Sequence, residues 1–114
     1  MRAYELMVIF DGDLDEAAVE EALGVATGAL TDTGSTIVNT DRWGKRKFAY
    51  EIDHKQDGSY VVLEFLADGQ DLSGFERSLR LADDVVRHKL IRLPDREATR
   101  RGLLGGEATP ASAG

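Results

Sequence analysis

A chain of 114 residues, 42% apolar and 31% charged, is the size of one domain, since domains cluster near ~100–150 residues, and its composition is that of an ordinary globule rather than a disordered chain. Without cysteine it has no disulfide, thiolate metal site or cysteine nucleophile. No apolar run approaches the ~20 residues of a membrane helix, and the N-terminus lacks a signal-peptide pattern, so a cytoplasmic location is expected. The net charge of −7 argues against nucleic acid until its distribution is considered.

Residues 3–10, AYELMVIF, carry apolar side chains on both parities, as a central strand does. Asp13, followed three residues later by Glu16, signals a helix start. Val19, Ala22, Leu23, Ala26 and Leu30 then recur at helical spacing, and Gly34 closes that unit. From Thr36 to Ile52 the pattern is strand-like, with Gly44 marking a bulge or bend. Beyond that glycine, Phe48, Tyr50 and Ile52 share one parity, and Phe48 is expected to turn toward the core. Lys55-Gln56-Asp57-Gly58 is expected to be a turn, and Ser59–Leu66 a strand apolar on both faces.

Leu72, Phe75, Leu79 and Ala82 give a shorter second helix ending near Leu81. Residues 85–93, VVRHKLIRL, make a last strand whose mixed faces suit a sheet edge. The order βαββαβ is the split βαβ, ferredoxin-like arrangement of class α+β: a four-stranded antiparallel sheet with two helices on one face. The domain is expected to span residues 1–94. Residues 95–114 are expected to be a flexible C-terminal tail.

Catalytic patterns are weak throughout. Asp11-Gly12-Asp13-Leu14-Asp15 begins like a calcium loop, but Glu16 and Ala22 stand where Gly and Glu would be required. These acids suit the positive end of the following helix. His54 and His88 are too few for a zinc or nucleophile–base constellation. The glycines of GLLGG, residues 102–106, lack a strand–turn–helix setting. No enzyme activity, cofactor or metal is expected.

The basic segment is different. Residues 1–40 hold one basic and eight acidic side chains, 1 − 8 = −7, while residues 41–114 hold 13 of each. The acidic excess therefore lies in the first third, and a local cationic patch can act within a Debye length of ~8 Å. Four of the six residues Arg42-Trp43-Gly44-Lys45-Arg46-Lys47 are basic. Lys45 and Lys47 share one strand face, Arg46 and Phe48 the other. Cations on a strand can track a phosphate backbone, and Trp43 offers a flat ring for a base. Arg2, Arg87, Lys89 and Arg92 come from the first and last strands, which are neighbours in this topology.

The stretches MRAYELMVIF, WGKRKFAYEI, Gly58-Ser59-Tyr60-Val61-Val62 and ERSLRLADDVVRHKLIR, in this order over residues 1–93, resemble bacterial small-subunit ribosomal protein six. The most specific part is GKRKFAYEI. The resemblance implies a structural protein of the small ribosomal subunit. It would bind the central domain of the small-subunit ribosomal RNA as a heterodimer with ribosomal protein eighteen, without DNA or membrane. Carried over by position, Arg2, Lys45, Arg46, Lys47 and Arg87 are its candidates for RNA contact; Arg42, Trp43, Lys89 and Arg92 join them from the pattern above. Two other classes fit the same fold: a small-molecule regulatory domain, and a protein-interaction module whose basic strand is merely solvated.

Overall fold

The computed structural model describes residues 1–52 and 54–104. The elements run β1 (Arg2–Asp11), α1 (Glu16–Asp32), β2 (Thr36–Ile52), β3 (Lys55–Ala67), α2 (Ser73–Leu81), β4 (Val85–Arg92) and α3 (Asp95–Arg100). The sheet order is β2-β3-β1-β4, antiparallel at every pairing. The two strands with apolar residues on both parities, β1 and β3, are the central ones, as the sequence implies.

One face of the sheet carries the main core. Leu6, Val8 and Phe10 of β1 and Val61, Leu63 and Phe65 of β3 point to it, and the apolar stripe of α1 (Val19, Leu23, Ala26, Leu30) with Phe75 and Leu79 of α2 covers them. Tyr4 and Phe65, opposite one another in register, stack with centroids 5.2 Å apart. The cap of α1 is Asp15 rather than Asp13, its carboxylate accepting the Ala18 N–H at 2.8 Å. Asp11, at the end of β1, accepts the Asp13 N–H at 2.9 Å and pairs with Lys55 at 2.9 Å. Those two partners hold its carboxyl below the ordinary aspartate range.

Two expectations are corrected. Lys55–Gly58 lies inside β3, and the chain reverses near His54, which takes φ +64°. Gly58 serves a close approach instead of a turn: a Cβ there would stand 2.5 Å from Ile9 Cγ2 and 2.8 Å from the Phe10 carbonyl oxygen. Nor do residues 95–104 form a tail. Residues 95–100 form α3, on the face opposite α1 and α2, where Ala98, Leu93 and Leu103 enclose Ala3 in a second small core. The remainder of the expected tail, residues 105–114 with two of the GLLGG glycines, lies outside the described residues.

Candidate nucleic-acid interface

The face that α1 and α2 leave uncovered is organised in rows, because register partners on adjacent antiparallel strands point to the same side. The row nearest the β2–β3 hairpin runs Gly44, Tyr60, Ile9, Arg87. The next runs Asp41, Val62, Met7, Lys89, and the third Asn39, Glu64, Glu5, Ile91. Below them α3 closes the face over Ala3 and Leu66.

The first row is made chemically distinct by a bulge. Gly44 takes φ +84°, a left-handed conformation that a side chain would strain, and the β2 register shifts between Arg42 and Gly44. The bulge sends Trp43 to the open face, where its ring stacks on Tyr60 (centroids 6.0 Å, planes 9° apart) and its Nε1–H donates to Asp41 at 3.0 Å. The Arg46 guanidinium lies 5.4 Å from the Trp43 centroid, a cation–π distance. Phe48 meets Tyr60 edge-on at 6.2 Å and reaches over Gly58 beside Ile9. Phe48, expected to turn toward the core, is half-buried in this outer aromatic group and lies outside the main core. Trp43 is held on one side and remains 42% exposed.

The expected site residues divide between the faces. Trp43, Arg46, Arg87 and Lys89 share the open face. Arg42 and Lys45 pair in register with Val61 and Ser59 and so belong to the helix side, as does Lys47 opposite Asp57. There a groove between the start of α1 and β2 is lined by Asp15, Glu16, Glu20, Arg42 and Lys45. Arg42 is bound by Glu20, Nε to Oε2 at 2.6 Å and Nη2 to Oε1 at 3.0 Å. This pairing lowers the glutamate's pKa and raises the arginine's. Lys45, Arg46 and Lys47 are exposed and make no ion pair among the described residues. Arg2 and Arg92 pair with Ala67 and Tyr4, at the end of the sheet far from the hairpin. One surface therefore gathers four of the nine candidates; the other five lie on the helix side or at the far end.

The third row holds a feature with no sequence signal. Glu5 and Glu64 stand directly opposite each other on the central strand pair. Arg101, just past α3, donates Nη1–H to both, at 2.9 and 2.8 Å, and Nε–H to Glu97 at 2.6 Å. These carboxylates, Glu5 first, raise the pKa of the arginine far above its ordinary value. Asn39 also donates to Glu64, at 2.8 Å. Among the described residues no group of three or more His, Asp or Glu side chains could hold a metal, and no helix is long and apolar enough to cross a membrane.

A family model for ribosomal protein S6 matches residues 3–92, nearly the whole of the sheet and both of its covering helices. The chain belongs to the ribosomal protein S6 family. It is 41% identical over 95 residues to the small ribosomal subunit protein bS6 of Acidothermus cellulolyticus, across 83% of this chain and 98% of that one. The bS6 protein of Carboxydothermus hydrogenoformans is also 41% identical, over 92 residues, 81% of this chain and 96% of that one. Among solved structures, the 30S ribosomal protein S6 of Thermotoga maritima superposes with a TM-score of 0.81 at 32% identity, covering 88% of this chain and 94% of its own. Membership of the S6 family makes the chain a structural ribosomal protein and not an enzyme. The family model's own match stops at Arg92, ahead of α3 and Arg101.

Sequence reasoning missed two contributors to the open face. Tyr60 supplies the surface on which Trp43 stacks; its signal was parity, since it alternates with the core residues Val61 and Leu63. Arg101 had no local signal, because its Glu5 partner lies 96 residues away in the chain.

Proposed function

We propose that this protein, as a component of the cytoplasmic small ribosomal subunit, binds the central domain of the small-subunit ribosomal RNA together with ribosomal protein eighteen. The observation that carries the reading is the hairpin end of the open face, where Arg46 and Trp43 stand on one edge strand and Arg87 and Lys89 on the other. Three strand spacings of ~4.8 Å separate the edge strands by about 14 Å, a span one folded RNA strand can cover. Between the cations lies an aromatic platform, and RNA is recognised through phosphate contacts and stacking on such rings. The acids of α1 lie across the sheet from this surface, where they do not oppose phosphate at close range.

Lys45 and Lys47 extend the cationic rim around the β2 edge where the hairpin leaves the body of the sheet. Arg2 and Arg92 would reach RNA only where it continues past the far end. Trp43, stacked on Tyr60 with Arg46 over its ring, would meet a base through the part that stays exposed. A protein of net charge −7 with one cationic region has limited affinity for RNA alone. A partner that adds area and charge converts weak binding into stable binding. The partly exposed Met7, Val62 and Ile91 on the same sheet face offer that partner apolar surface.

The test is the K45A/R46A/K47A variant, assayed for association with a central-domain RNA fragment across a salt series, with and without ribosomal protein eighteen. Removing one phosphate-binding cation should reduce the salt slope by about one unit, so the variant should bind more weakly and with a flatter slope. An unchanged affinity and slope would leave the basic strand as solvated surface and favour a pure protein-interaction module.

A further inference from the structure

Arg101 lies past the residues that the family model matches, and its contacts reach back to the central strands. Glu5 and Glu64 are register partners on the central strands, an arrangement that like charges make unfavourable. The pair borders a shallow depression on the open face whose other lining residues include Asp41 and Trp43. Left uncompensated, two carboxylates would stand beside the aromatic platform. Arg101 bonds to both, and it is anchored in turn by Glu97 of α3. Ala98, fully buried, and Leu103 seat the same segment on Ala3 and Leu93.

We propose that Arg101 is a positioning residue for RNA binding. It docks α3 on the open face and offsets part of the Glu5–Glu64 charge, which would otherwise repel phosphate more strongly near Trp43 and Arg46. This rests on the RNA reading above. Glu64 lies four residues along β3 from Tyr60, about 13 Å. That separation is well inside the ~30 Å Debye length at 0.01 M salt but beyond the ~8 Å of physiological salt. The effect should therefore be plain at low salt and fade as salt is added, whereas removal of a cation that touches phosphate directly is felt at both.

The experiment uses the full chain and a central-domain fragment of small-subunit ribosomal RNA at 0.01 and 0.15 M salt. R101Q should bind about threefold more weakly at the lower salt and within error of wild type at the higher. Adding E5Q and E64Q to R101Q should restore the affinity at the lower salt, whereas a merely structural role for Arg101 would leave R101Q weaker at both salts. Unchanged binding by R101Q at low salt, or failure of the triple variant to recover, would overturn the proposal. Should R101Q not fold, E5Q/E64Q with Arg101 intact decides: it should bind at least as tightly as wild type, and weaker binding overturns the idea. K45A/R46A/K47A, measured alongside, separates the two claims. If that variant binds like wild type, the RNA reading itself falls. If it loses affinity while R101Q does not, only the role of Arg101 falls.

Discussion

The two faces of this sheet are built from alternate residues of the same strands, yet they obey different rules. On the helix side, Leu6, Val8, Phe10, Val61, Leu63 and Phe65 are buried without a polar atom among their side chains. On the other side, the same strands present Glu5, Met7, Ile9, Tyr60, Val62 and Glu64. That face mixes Met7 and Val62 with charged residues in its middle, is aromatic at the hairpin end and is closed by α3 at the other. The first face holds the fold together and the second is available to partners. The lesson is that apolar residues on both parities of a central strand do not mean two equal cores. Here one layer is continuous, and the other is a small seat for a C-terminal helix.

The comparison can be broken most sharply at its centre. Phe65→Ala removes a fully buried ring stacked on Tyr4 and should cost about 3–5 kcal/mol, read as a lowered denaturant midpoint. A cost near 1 kcal/mol would mean that the helix-side core is looser than its burial suggests. Next comes Ala98→Glu. Ala98 is fully buried on the other face, so an unpaired carboxylate there should drive α3 off the sheet rather than stay buried, and the loss should be local. Amide exchange should accelerate in α3 while the β1–β3 ladder keeps its protection. Equal loss in both would show that the two faces unfold as one unit.

The smallest expected effect concerns acid. The carboxyl groups of Asp11, Glu20, Asp71 and Glu97 are held below their ordinary values by backbone or cationic partners. A group with a lowered folded pKa stabilises the fold fully above its unfolded value and loses that contribution as pH falls through the folded one. Stability should therefore be level near neutrality and decline from about pH 4 downward. D11N should flatten that decline slightly, because it removes the one member of the set that also pairs with Lys55.

Much of this was legible in the residues, where the signal was local and repeated. The stripe Val19, Leu23, Ala26, Leu30 gave α1, and dual-parity apolar strands gave the central positions of β1 and β3. The combination of Gly44 with a basic run gave the bulge and the cationic edge. Failures occurred where a tertiary contact decided the outcome. Asp57-Gly58 reads as a tight turn, yet Gly58 is needed where β1 and Phe48 approach too closely for a Cβ. Leu93, Ala98 and Leu103 have no helical period, and a six-residue helix is stable only because the sheet receives it. The division of Arg42 from Arg46 between faces depends on a one-residue register shift, which periodicity alone cannot locate.

That division also supplies the most direct test. Arg42 and Arg46 lie four residues apart, on opposite faces; Arg42 is held by Glu20, while Arg46 lies over Trp43 beside the open row. RNA association of R42A and R46A should be compared in one salt series. R46A should weaken binding and lower the salt slope by about one unit, while R42A stays close to wild type. Equal losses, or a larger loss for R42A, would contradict the assignment of RNA to the open face.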